Sequence, residues 1–137
     1  MTSEAQKQRK IDSIDINFAG DTELPALNQE TLDELGTPNK PVILKKNIIE
    51  KNLAHHPEIA PRDYKGIIGH ALYRPENIIT ANQEKGYYIF LSRLTENSNS
   101  SVLLDVRETT TSAGFEIVNL YRINNKTRQR LEDKAKS

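Results

Sequence analysis

Apolar residues recur with helical spacing in the middle of the chain. The clearest stripe has apolar side chains at positions i, i+3, i+4, i+7 and i+8, namely Tyr64, Ile67, Ile68, Ala71 and Leu72. Such a stripe is typical of a helix packed against a core, so we predict a helix over residues 61–73. Its favoured first residue is Pro61, and Arg74-Pro75 ends it. A shorter helix is predicted over residues 47–55. It ends there because Pro57 cannot continue a helix.

The apolar period changes to two after residue 75. Strands are predicted at 78–81, 87–94, 101–109 and 115–123, separated by turns rich in Asn, Ser, Thr and Gly. Consecutive strands joined by short turns pair antiparallel. Strict alternation in the last strand would put one set of side chains on a single face: Phe115, Ile117, Asn119, Tyr121 and Ile123. The predicted fold class is therefore α+β, with N-terminal helices packed on an antiparallel β-meander of about four strands.

The first 39 residues differ in charge from the rest of the chain. They carry three Lys or Arg and eight Asp or Glu, whereas residues 40–137 carry sixteen and eleven. We predict an acidic tail or linker over residues 1–39, with an edge strand at 11–18 and a helical turn through Leu32 and Leu35. A domain would follow over residues 40–125, beginning with a short strand at 42–44. Residues 126–137 are predicted to form a polar, mostly solvated helix.

Composition excludes several classes of protein. With 137 residues the chain is one domain in size. It has no cysteine, which excludes disulfides, thiolate nucleophiles and zinc sites built on cysteine. Apolar runs fall short of the roughly 18 to 20 residues that cross a bilayer, and the polar start lacks the apolar segment of a secretory signal. We expect no membrane partner, and a location in the cytoplasm.

All three histidines lie between Lys45 and Arg74, among several Lys and Arg residues. The pair His55 and His56 stands where the first predicted helix ends, and His70 flanks the apolar stripe of the second. Histidine at a helix end interacts favourably with the helix dipole, so a structural role explains this pair as well as catalysis does. The three histidines lack the spacing of known metal sites, and no metal ligand is predicted.

Four segments resemble one known family. These are VILKKNIIEKNLAHHPEI, YKGIIGHALYRPENII, SVLLDV and GFEIVNLYRI. Over about residues 40–125 the chain is similar to the phage-associated branch of the barnase/EndoU/colicin-tRNase/RelE superfamily. The similarity lies in the order of the segments, in the His-Pro-Glu turn and in the A-L-x-x-P-x-x-I pattern at the end of a helix. The resemblance implies a ribonuclease-like domain without metal or other cofactor, of the kind found at the end of phage head-morphogenesis or polyvalent proteins. It also implies an alternative location, in a phage particle.

The resemblance also implies a site. His56 of the His-Pro-Glu turn would be the general acid or base, with Lys51 at the basic position one turn earlier. Asn119 and Tyr121 would be the polar positions on the last strand. RNA-binding positions would be basic residues around them: Lys45, Lys46, His55, Arg74 and Arg122. Such a site would cleave tRNA or messenger RNA as a phage-derived toxin, with an immunity or antitoxin protein as partner.

Two departures from the family pattern keep other functions open. Relatives often have histidine where this chain has Lys51, and Thr or Ser where it has Asn119. Asparagine cannot transfer a proton, so an inactive ribonuclease fold serving as a binding or adaptor module is the alternative, as is a structural domain of a phage polyprotein. Tyr121 shares its predicted face with Phe115 and Ile117, so core packing competes with a role in catalysis.

Overall fold

The computed structural model describes residues 2–82, 84–93, 100–109 and 114–136. Across these ranges the chain forms five α-helices and one six-stranded sheet. The helices are α1 (Glu4–Asp12), α2 (Gln29–Leu35), α3 (Lys46–His55), α4 (Tyr64–Tyr73) and α5 (Asn125–Lys136), and a 3-10 turn at Pro61–Asp63 leads into α4. The strands are β1 (Thr22–Leu24), β2 (Val42–Leu44), β3 (Asn77–Asn82), β4 (Tyr87–Ser92), β5 (Ser100–Glu108) and β6 (Phe115–Asn124). The predicted α+β class is confirmed.

The sheet has the order β1-β2-β6-β5-β4-β3 and is mixed rather than purely antiparallel. The predicted meander corresponds to β3 through β6, which pair antiparallel in sequence order. The expected number of about four strands is wrong, because β1 and β2 extend the sheet and β2 runs parallel to β6. Val42 and Leu44 are fully buried, and a strand this apolar is stable inside a sheet rather than at its edge. The predicted strand end at Leu94 and the turns at 95–99 and 110–113 lie outside the described residues.

The strand predicted over residues 11–18 is wrong, because the segment begins inside α1. A capping box starts this helix: the Ser3 hydroxyl accepts from the Gln6 amide, and the Gln6 side chain accepts from the Ser3 amide. Ile11 and Ile14 are three residues apart, so both reach the core from one side. Close packing against α4 depends on Gly69, where a Cβ would lie 2.8 Å from a methyl group of Ile11. The N-terminal segment thus packs on the same core as residues 40–125. The division of the chain into a tail, a domain over residues 40–125 and a C-terminal helix stays a prediction.

The sheet buries a different core on each face. Leu104 lies in the larger core, which α4 covers together with α1. Leu103 lies in a smaller core, to which Leu131 of α5 contributes. Neighbouring residues of a strand point to opposite faces, so α4 and α5 cover opposite sides of the sheet. Because α5 covers only one end of its face, the rest of that face is accessible; we call it the open face and define it by Asp105 and Arg107 of β5.

A β-bulge in β6 decides which side chains reach the open face. Asp105 is paired with Asn119, but the next residue of β5 is paired with Ile117, so Val118 is an extra residue in β6. The bulge shifts the phase of the strand, and the predicted strict alternation is therefore wrong. Ile117 lies in the core under α4. Tyr121 touches both cores, but it is paired with Leu103 of the smaller core and so lies on the other face. Asn119 and Tyr121 consequently share the open face with Asp105.

Candidate active site

Helix α3 lies along the free edge of β6. Among the described strands, β2 adjoins β6 on this side and is paired only with Phe115 and Glu116. Further along, the buried Asn52 side chain takes the place of a neighbouring strand. Its amide Nδ2 donates to the Leu120 carbonyl oxygen over 2.7 Å, and the Leu120 amide donates to Asn52 Oδ1 over 3.3 Å. These two bonds imitate one rung of a sheet, and they fix the last turn of α3 against β6.

His56 ends α3 and lies beside the open face. Its backbone amide donates to the Asn52 carbonyl oxygen over 2.8 Å. The imidazole is stacked on the Tyr121 ring, with 5.2 Å between the centroids and 8° between the planes. Nδ1 is 3.2 Å from Glu58 Oε1. When the ring proton is on Nδ1, this nitrogen donates a hydrogen bond to Glu58, and Nε2 can bind another group. The His56 side chain is 30% exposed, so the ring is accessible from outside the protein.

Asp105 is the half-buried carboxylate at the centre of the open face. Asn119 Nδ2 donates to its Oδ2 over 3.3 Å. Burial raises the pKa of the Asp105 carboxyl above its ordinary value, while the hydrogen bond from Asn119 and the charge of Lys51 oppose that rise. The pKa of Tyr121 is also raised, by burial and then by the charge of Asp105. Groups with perturbed pKa values that meet at one surface are typical of functional sites.

The four residues predicted as catalytic therefore meet in one cluster. Asp105 links them, because it accepts a hydrogen bond from Asn119, interacts with the charge of Lys51 and raises the pKa of Tyr121. The Tyr121 ring in turn is stacked on the imidazole of His56. Sequence reasoning missed Asp105. A carboxylate inside the apolar run SVLLDV was the available signal, since a charged side chain is rare between buried neighbours. Glu58 was also missed, although the His-Pro-Glu turn places it two residues after His56.

Three predicted RNA-binding residues lie on α3 or at its start. Lys45 Nζ is 2.6 Å from Glu116 Oε1, and this ion pair raises the pKa of Lys45. Lys46 Nζ is 3.6 Å from Glu50 Oε1 on the next turn. His55 is exposed on the last turn of the helix. The contacts that hold the cluster together, as described above, do not involve these three side chains.

The two predicted arginines lie outside the cluster. Arg74 follows α4, and its Nε is 3.3 Å from Glu4 Oε2 of α1. Arg122 is one residue from Tyr121 and so points to the opposite side of β6, where its guanidinium is 3.9 Å from Asp63 Oδ2. His70, predicted to be structural, is half-buried in α4, and burial followed by the charge of Arg74 lowers its pKa. Of the basic residues considered, Lys51 is the one whose charge acts on Asp105.

Two further findings concern metals and membranes. In the described ranges, no three or more His, Asp or Glu side chains are grouped so that they could hold a metal ion. Within the same ranges, every helix is too short or too polar to cross a membrane.

The comparison with protein families gives one match. The model of the large polyvalent protein-associated domain 13 family matches residues 11–135, which is most of the chain. The chain belongs to this family. It is a phage-associated domain family. The matched span includes the end of α1 and every residue of the cluster. No curated protein and no solved structure matches the chain.

Removing the Asn52 amide should destabilise the fold. We expect Asn52→Leu to lower the free energy of unfolding by about 3 kcal/mol, because the N–H and C=O groups of Leu120 each lose a buried partner at a cost of about 1–3 kcal/mol. Urea unfolding followed by circular dichroism measures this. Asn47→Leu makes the same substitution at an exposed position of the same helix, and we expect a change of less than about 0.5 kcal/mol. Equal effects of the two substitutions would contradict the role of Asn52.

Proposed function

We propose that the chain is a metal-independent endoribonuclease with its active site on the open face beside α3. The observation that carries the proposal is the imidazole of His56, which is stacked on the Tyr121 ring. Asp105, a carboxyl with a raised pKa, acts on the same Tyr121 through its charge. Lys51 adds a positive charge to the same cluster. An acid, a base and a cation are the groups that RNA cleavage requires when no metal takes part.

The proposed reaction uses the 2′-hydroxyl of the RNA as its nucleophile. Asp105 removes the 2′-hydroxyl proton while the 2′-oxygen bonds to the adjacent phosphorus. The bond from phosphorus to the 5′-oxygen breaks, and protonated His56 donates its Nε2 proton to that leaving oxygen. The products are a 2′,3′-cyclic phosphate and a 5′-hydroxyl end. The raised pKa of Asp105 makes it a better base than an exposed carboxylate, and Lys51 stabilises the negative charge that develops on the phosphate oxygens.

The remaining residues of the cluster position these groups. Glu58 accepts from Nδ1 of His56 and directs Nε2 towards the substrate. Tyr121 sets the plane of the imidazole. Asn119 cannot transfer a proton, and in this proposal it has no need to, because its amide orients Asp105. The departure from the family pattern at Asn119 is thereby compatible with activity.

The proposal includes the fold family, the substrate class and the biological role. In this chain the helices α1 to α4 precede the antiparallel β3–β6 meander, and the cluster lies on the sheet. This order supports the assignment of the fold to the barnase/EndoU/colicin-tRNase/RelE group. The substrate would be tRNA or messenger RNA, cleaved by a phage-derived toxin, with an immunity or antitoxin protein as its partner. Lys45 and Lys46 would contact the RNA backbone at the border of the site.

A second candidate is an inactive binding or structural domain of a phage polyprotein. Membership of a family associated with large polyvalent proteins favours it, since such a domain needs the fold but no chemistry. It predicts binding to a partner without any turnover.

Incubation with RNA in EDTA tests the proposed function. We expect the purified protein to cleave unmodified RNA and leave 2′,3′-cyclic phosphate ends, which mass spectrometry identifies. The same sequence with 2′-O-methyl groups should stay intact, because it lacks the nucleophile. Intact unmodified RNA in the presence of folded protein would support the second candidate instead, and cleavage of the 2′-O-methyl RNA would contradict the mechanism.

A further inference from the structure

A groove of about 200 Å³ extends the open face beyond Asp105. It lies where the start of α3 meets the paired ends of β4, β5 and β6. Its walls include both apolar and charged side chains: Lys45, Ile48, Tyr87, Arg107, Glu116 and Val118. Neither Tyr87 nor Arg107 takes part in the cluster around His56.

Tyr87 and Arg107 are in contact in this groove, with the Arg107 guanidinium over the Tyr87 ring. They are directly paired across β4 and β5, and the Arg107 guanidinium lies 5.4 Å from the centre of the Tyr87 ring. Arg107 is exposed and Tyr87 is half-buried. Unpaired RNA bases stack on aromatic rings and on arginine guanidinium planes, and here an exposed guanidinium is supported from below by a tyrosine ring.

The charges of the groove are compatible with an RNA strand. Glu116 is directly opposite Arg107 in the sheet, but its carboxylate is engaged by Lys45 at 2.6 Å. The side chains that line the groove therefore carry two cations and one carboxylate, a net charge of +1 that Arg107 supplies, while Asp21 outside the groove also acts on Lys45. Positive charge beside a stacking surface is the combination that single-stranded nucleic acid binds.

The groove is continuous with the proposed active site. Arg107 is two residues from Asp105 in β5, so both side chains lie on the open face, about 7 Å apart along the strand. One nucleotide of an extended single strand spans such a distance. An RNA whose 2′-hydroxyl reaches Asp105 would therefore pass over Arg107.

We propose that this groove binds one unpaired base of single-stranded RNA, stacked on the Arg107 guanidinium that Tyr87 supports, next to the nucleotide that is cleaved. The choice of RNA rests on the proposed function. The stacking surface, the net charge and the shared face support the site independently of any cleavage step. The groove would thus select unpaired segments over duplex RNA, in which bases are already stacked on each other.

Binding of a fluorescent 2′-O-methyl RNA of eight nucleotides, measured by fluorescence anisotropy, tests the groove without requiring cleavage. We expect Tyr87→Val and Arg107→Gln each to raise the Kd about fivefold or more, since stacking of a base contributes about that factor or a larger one. Tyr87→Phe keeps the ring and should bind like the wild type. Arg130→Gln removes an exposed arginine on α5 and should change the Kd less than about twofold.

The outcomes separate the groove from the proposed function. Loss of binding in Tyr87→Val and Arg107→Gln supports the groove even if the protein never cleaves RNA. Wild-type binding by both variants overturns it, even if the protein is an active ribonuclease. Failure of the wild type to bind the oligonucleotide overturns it as well. Circular dichroism of each variant confirms that a lost interaction does not reflect a lost fold.

Discussion

His56→Gln is expected to lower the kcat for RNA cleavage by at least about 100-fold, because the leaving 5′-oxygen would lose its proton donor. Glutamine keeps hydrogen-bonding capacity and similar bulk over Tyr121 but cannot exchange a proton in the neutral range. The exposed fraction of His56, 30%, implies that the fold tolerates this change. The loss should therefore appear in kcat while the melting temperature stays close to that of the wild type.

The neighbouring histidine is a matched control for this measurement. His55 is on the same turn and exposed, but the cluster contacts do not involve it. We expect His55→Gln to keep kcat within about twofold of the wild type, as is usual for surface changes. Initial rates on one RNA in EDTA measure both variants. A similar loss in both, or full activity of His56→Gln, would contradict the assignment of His56.

Asp105→Asn is expected to change activity and stability in opposite directions. We expect kcat to fall by at least about 100-fold, because the amide cannot accept the 2′-hydroxyl proton. We expect the free energy of unfolding at pH 7 to rise, because the substitution removes a half-buried charge and keeps a polar group opposite Asn119. A group that costs stability but is needed for turnover is characteristic of an active site.

The raised pKa of Asp105 sets the pH dependence of that stability difference. The native state holds the Asp105 proton to a higher pH than the unfolded state, where the ordinary value of 3.8 applies. Between these two pKa values the native state binds more protons, so the stability of the wild type falls as pH rises. Each unit of pKa difference corresponds to about 1.4 kcal/mol. The advantage of Asp105→Asn should therefore be smallest below pH 3.8, grow as pH rises, and stay constant once the native carboxyl is ionised.

Urea unfolding between about pH 3 and pH 8 measures this difference. Asp15→Asn is the matched control, since Asp15 is exposed and we expect its substitution to change the free energy of unfolding at pH 7 by less than about 0.5 kcal/mol. A variant that is less stable than the wild type at pH 7, or that keeps full activity, would show that Asp105 serves the fold and not the reaction.

Much of the fold follows from local sequence signals. The predicted strand at 42–44 coincides with β2, and the predicted helices at 47–55 and 61–73 correspond to α3 and to the 3-10 turn with α4. These elements have strong local determinants, because prolines bound them and their apolar residues recur with one period. The cluster was partly predictable for a different reason: Lys51, His56, Asn119 and Tyr121 came from a resemblance and not from any geometry in the sequence.

The features that were missed depend on tertiary contacts. Apolar residues from 11 to 18 alternate well enough for a strand, and the competing signal was the Ser3 capping box, which begins α1. The bulge at Val118 follows from pairing between β5 and β6, and the sequence does not reveal such a shift of phase. Parallel pairing of β2 with β6 joins segments about 70 residues apart, beyond the reach of any local pattern. Asp105 became a candidate only once the bulge placed it beside Asn119.

The two hydrogen bonds between Asn52 and Leu120 also determine when the site can form during synthesis. The two residues are 68 positions apart, so α3 leaves the ribosome long before the strand to which it is bonded. Until β6 emerges, His56 has no Tyr121 beneath it and Asp105 has no Asn119 opposite it. Chains translate at about 5–20 residues per second, so for several seconds the nascent polypeptide carries His56 without an assembled site. A ribonuclease built in this way would have no assembled active site until β6 has left the ribosome.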